Sequence, residues 1–96
     1  MTPKQQRIAI AEACGFKIKD YKMEDGNINV APLPDYLNNL NAMHEAGKML
    51  KLGMRSLYDA NLGLIAERDY CFIWETNAAQ RAEAFLKTLG LWEATK

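Results

Sequence analysis

One stretch constrains the chain before anything else does. Tyr36, Leu37, Leu40, Met43, Gly47 and Leu50 recur at three- and four-residue steps, the period of a helix that buries one face. Asn38, Asn39, Glu45, Lys48 and Lys51 fall mostly on the other side. The spacing predicts a helix over residues 35–51, opened by Pro34-Asp35 and broken at Leu52-Gly53. A helix with one apolar stripe needs a second surface to cover it, so the rest of the chain has to supply that surface.

Two further helices announce themselves by their ends. Thr2 is a good N-cap, Pro3 suits the first helical position and Gln5 completes a capping-box pattern. Ile8, Ala11 and Cys14 then form a narrow stripe. Gly15 sits where a left-handed residue stops a helix, and Phe16 can fold back on the last turn. Near the other end, Asn77 caps a helix with Gln80 in the box position. Ala78, Ala82, Phe85, Leu86 and Leu89 make its stripe, and Gly90-Leu91 supplies the stop. Met54, Leu57, Tyr58, Leu62 and Ile65 fit a fourth helix. Asn61 and Gly63 weaken its last turns, so the chain is expected to leave it near Asn61.

Three segments read as strands. Phe16-Lys17-Ile18-Lys19 and Asn27-Ile28-Asn29-Val30 alternate around Asp25-Gly26, a hairpin signal. A two-residue turn sets Met23 against Ile28 and Tyr21 against Val30. Phe16 and Ile18 lie on the opposite parity, and a bulge near Lys19-Asp20 would reconcile the two. Tyr70-Cys71-Phe72-Ile73-Trp74 is aromatic and β-branched, apolar on both faces, and is expected as a central strand covered on both sides, with Phe72 and Trp74 in the core. The element order is then α-β-β-α-α-β-α. The expected fold class is α+β: a small three-stranded antiparallel or mixed sheet packed with about four helices. The 96 residues fit one small domain, 1–96, with a thin core that self-association would relieve.

Twelve Lys plus Arg balance twelve Asp plus Glu. Lys17, Lys19 and Lys22 form the only basic cluster, and Asp20, Glu24 and Asp25 interrupt it. That pattern disfavours duplex nucleic acid as a partner. No apolar run is long enough to span a membrane, and the polar start lacks the apolar core of an export signal. Cys14 and Cys71 form no CxxC pair, and are read as reduced, buried thiols in a cytosol.

Two blocks carry a resemblance. Leu33-Pro34-Asp35-Tyr36-Leu37-Asn38-Asn39-Leu40-Asn41-Ala42-Met43-His44-Glu45-Ala46 and Ala78-Ala79-Gln80-Arg81-Ala82-Glu83-Ala84-Phe85-Leu86-Lys87-Thr88-Leu89-Gly90-Leu91-Trp92 together resemble the phage ABA sandwich family, small proteins of bacteriophages and prophages. The resemblance implies a helix–sheet–helix sandwich and a phage accessory protein in the cytoplasm of the infected or lysogenic bacterial host. It implies no assigned activity and no catalytic residues.

The chemistry-bearing residues are few. His44-Glu45 starts an H-E-x-x-H pattern that fails at Lys48, and His44 is the only histidine, so neither a metal nor a cofactor is expected. Ser56 is the only serine and stands in no nucleophile motif. No enzyme is expected. What is left is a set of rings and guanidinium groups suited to stacking and to clamping phosphate. Arg81 is read as an intrahelical partner on a solvent face. Arg55 and Arg68 are the cations least explained by structure, and with Tyr36 and Trp92 they form the candidate binding set. The expected function is a non-catalytic counter-defence binder that sequesters a nucleotide-type immune signal as a homo-oligomer. The alternative is an inhibitor that blocks a host or defence protein such as a CRISPR effector.

Overall fold

The computed structural model describes residues 1–93. It contains four helices: α1 (Pro3–Ala13), α2 (Leu40–Gly47), α3 (Leu52–Arg68) and α4 (Ala78–Thr88). Two short 3-10 turns, Ile18–Tyr21 and Ile73–Glu75, lie in the connections.

The outer helices begin and end where local chemistry dictates. Thr2 Oγ1 accepts from the Gln5 N–H, and the Gln5 side chain accepts from the Thr2 N–H. Asn77 and Gln80 form the same reciprocal pair on α4. Gly15 and Gly90 take positive φ, and Phe16 N–H to Ala11 O and Leu91 N–H to Leu86 O close the two stops.

The expected α+β sandwich is not what the chain adopts. Among the described residues there is no sheet, only one isolated antiparallel bridge, Lys22 to Ile28. Three physical causes replace the three strands. At Asp25-Gly26 the loop is one residue longer than a primed turn. Met23 N–H donates to Asn27 O, and Gly26 alone takes the left-handed position, the three-residue loop with a bulge. Register therefore shifts by one, and the return segment runs at once into Pro32 and Pro34, of which neither can donate to a ladder. A lone two-stranded ribbon is marginal in water. Upstream, the parity conflict is resolved by a 3-10 turn. Its three-residue period puts Ile18 and Tyr21 on one side, where both pack with Phe16 against the core. The Phe16 and Tyr21 rings lie 6.4 Å apart.

The third expected strand fails differently. Residues 70–74 are not central and not covered: Tyr70, Phe72, Ile73 and Trp74 are all exposed. Helix α3 does not stop near Asn61 but runs on to Arg68, which leaves this segment as a short loop before α4. Asn61 is no breaker here because its amide donates to the Thr88 hydroxyl at 3.2 Å. The helix predicted over 35–51 is also corrected. Residues 35–39 make a single turn, with Asn38 bonded to the Asp35 carboxylate. Asn39 then acts as a fresh N-cap, accepting from the Ala42 N–H. Asparagine favours that role over a helix interior.

Helix α4 is the axis of the fold. It touches α1, α2 and α3, and Ala82, Ala84, Phe85 and Leu86 are buried in succession. A helix apolar on most of its circumference is one surrounded by others. Phe85 and Leu86 join Ile10, Leu33, Tyr36, Met43 and Leu50 in the main core, while Ala84 joins Leu62 and Ile65 of α3. Burying a side chain such as Phe85 contributes about 1.5–3 kcal/mol. Arg7 fastens the proline linker to α1 by donating to the carbonyls of Leu33 and Pro34. No helix is long and apolar enough to cross a membrane among the described residues.

Candidate functional site

The four candidate residues are not brought to one place. Tyr36 is buried in the core, and burial raises its phenol well above the usual tyrosine range, helped by the adjoining Cys14 thiol, its hydrogen-bond partner. Burial likewise raises Cys14, and the Tyr36 bond pulls the other way. Both cysteines are free. The Tyr36 side chain borders an apolar recess with Phe16 and Met49, away from Arg55, Arg68 and Trp92.

Arg68 and Trp92 border one shallow depression between α1, α3 and α4. The Arg68 guanidinium is already engaged there. Its Nε and Nη2 donate to the Asp69 carboxylate at 2.9 Å each, and its Nη1 and Nη2 donate to Glu83 at 2.8 and 3.2 Å. The Lys87 ammonium joins Glu83 at 2.7 Å and lies 5.8 Å from the centre of the Trp92 ring. Arg68 holds the Asp69 carboxyl down to about 2, with help from the Gln80 amide. Burial works against the Glu83 anion, but the bonds from Arg68 and Lys87 outweigh it and lower its pKa. The network clamps the end of α3 to α4, and a phosphate would have to displace two carboxylates to reach Arg68.

Arg55 stands in a different setting. It lies on a cleft of about 390 Å³ between α2, α3 and α4. Its Nε donates to Leu50 O at 3.1 Å and its Nη2 to Lys48 O at 3.3 Å, so it satisfies carbonyls after the end of α2 while keeping Nη1 for the cleft. Across from it, Arg81 of α4 reaches toward α2. Its Nε donates to Thr76 O at 3.4 Å, and its Nη1 lies 3.4 Å from His44 Nε2. Arginine only donates, so Nε2 is the acceptor of that contact. Lys48, just past the end of α2, adds a third cation, paired at the surface with Glu45 at 2.9 Å. Tyr58 forms part of the wall, and Asp59 is the one carboxylate on it. Burial raises the Tyr58 phenol, against the pull of Arg81.

Two arginines and a lysine already paired with Glu45, against one carboxylate on the wall and beside an aromatic ring, make an anion-accepting surface. Arg55 was the member visible in the sequence. Arg81 and His44 were missed, because their meeting depends on α2 packing on α4 across 37 residues of chain. The available signal was narrow: both lie at the edge of an apolar stripe, where a polar tip can turn toward a neighbouring helix. Among the described residues no group of His, Cys, Asp and Glu could hold a metal ion.

Comparison with family models, with curated proteins and with solved structures finds no match to this chain.

Proposed function

We propose that the protein is a non-catalytic binder that sequesters a small phosphate-bearing ligand of nucleotide type in the α2–α3–α4 cleft. One observation carries this reading: the Arg55 and Arg81 side chains, fixed on different helices by backbone carbonyls, converge on a space walled by Tyr58. Guanidinium groups meet phosphate oxygens in two-pronged hydrogen bonds. A tyrosine ring offers a stacking face that tolerates any base. Because carbonyls already orient both arginines, less side-chain entropy is lost when the ligand arrives. In the setting implied by the two sequence blocks, the ligand is an immune signal of a bacterial defence system and the protein a phage counter-defence factor in the host cytoplasm.

The test is a thermal-shift panel of cyclic dinucleotides, cyclic trinucleotides and cyclic ADP-ribose isomers. Ligand at a hundredfold excess over Kd stabilises the folded state by about 2.7 kcal/mol, a rise of several degrees. The expected result is a shift with one ligand class, lost in Arg81→Ala, with the compound recovered chemically unchanged. A flat panel, or recovery of a cleaved compound, overturns the reading.

A further inference from the structure

Helix α3 has a second face, turned away from α4 and from the cleft. Leu62, Ile65 and Ala66 define its buried side. At about 100° per residue, Gly53, Leu57, Ala60 and Leu64 lie within roughly 60° of one another on the opposite side. Leu57, Ala60 and Leu64 are exposed, and no charged residue falls within the stripe. The loop after α3 extends the apolar surface. Ile73 Cδ1 packs against Gly63, and the Phe72 and Trp74 rings stack at 4.5 Å while staying open to solvent. Tyr70 ends the helix at φ 57°, a backbone conformation that costs a residue with a side chain about 1–2 kcal/mol.

We propose that this face is the interface of a homodimer in which α3 packs antiparallel against α3 of a second copy. Register is the first argument. Leu57 and Leu64 are two helical turns apart. A two-fold axis between Ala60 and Asn61 sets Leu57 of each copy against Leu64 of the other, and the small Ala60 beside the axis permits close approach.

Charge is the second argument. Glu67 stands near the C-terminus of α3 at the edge of the stripe, opposing the dipole of its own helix. It has no ion-pair partner among the described residues. Antiparallel copies bring Glu67 of one toward the positive N-terminal end of α3 of the other, twice, and set the opposed helix dipoles favourably. A parallel pair would put like charges together.

Area is the third. Tyr70, Phe72 and Trp74 are 98%, 61% and 74% exposed. At ~200 Å² for a whole aromatic side chain they offer about 470 Å². Leu57, Leu64 and Ile73, all exposed, bring the surface toward the ~800 Å² per partner of a standard interface. The dimer leaves the cleft open, so its failure would not touch the ligand reading.

Sedimentation velocity on the full chain across micromolar concentrations tests the proposal. The expected species has twice the 10.9 kDa chain mass. Leu57→Glu should weaken association at least about tenfold, with unchanged far-ultraviolet circular dichroism, since Leu57 supports no core contact. Adding Leu64→Lys should restore the dimer, because in the antiparallel register the new carboxylate meets the new ammonium. A monomer throughout the concentration range, a dimer indifferent to Leu57→Glu, or failure of the Leu64→Lys rescue overturns the proposal.

Discussion

Replacing Arg68 by alanine removes four hydrogen bonds and two ion pairs at one stroke. The Asp69 half is exposed and counts for little, as surface pairs do. The Glu83 half counts for more, because that carboxylate side chain is only 11% exposed. A hydrogen bond to a charged group contributes about 1.5–3 kcal/mol, and the 51% exposure of Arg68 places this one at the low end. Lys87 remains within 2.7 Å of Glu83, so the carboxylate is not stranded. The total is about 2 kcal/mol, a fall in Tm of roughly 8–16 °C for a domain this small. Chemical denaturation of Arg68→Ala, Glu83→Gln and the double variant gives the coupling directly, expected at about 1 kcal/mol or more. A loss below about 0.5 kcal/mol, or strict additivity, would refute the claim that this arginine clamps α3 to α4.

Other outcomes follow from the same structure. Phe85→Ala should cost about 3–5 kcal/mol in urea denaturation, because the ring is fully buried where α4 meets the main core. Stability should decline in acid as pH falls from about 4 toward about 2: the folded Asp69 carboxyl lies below its unfolded value, so its contribution is complete above the unfolded pKa and is lost on titration to the folded one. Circular dichroism melts in that window check it, and Asp69→Asn should flatten the slope. Tyr70→Gly should stabilise the monomer by about 1 kcal/mol by relieving the left-handed φ, while weakening self-association in sedimentation.

The ends of α1 and α4 were legible because their causes are local. Thr2 with Gln5, Asn77 with Gln80, Gly15 and Gly90 act within a few residues of themselves. The sheet was misread because burial is not local. Tyr70-Cys71-Phe72-Ile73-Trp74 has the composition of a covered strand, yet Tyr70, Phe72, Ile73 and Trp74 are exposed in the described fold. Asn61 and Gly63 look like a helix end, but Thr88 and Ile73 give each a partner across the fold. The cleft was legible in part. Arg55 stood out because it flanks a helix whose extent the sequence leaves open, whereas Arg81 looked like a solvent-facing residue of α4. Only the packing of α2 against α4 turns Arg81 toward His44. Arg68 stood out for the same reason as Arg55, and the structure gives its donors to Asp69 and Glu83.

An NMR titration that follows the arginine Nε–H signals tests the central claim most directly. Inorganic pyrophosphate and the nucleotide selected by thermal shift serve as ligands. The account predicts that the Arg55 and Arg81 signals move together with the Tyr58 ring, and that Arg68 stays still. Movement of Arg68 with Arg55 and Arg81 unmoved, or no movement at any arginine, would contradict it.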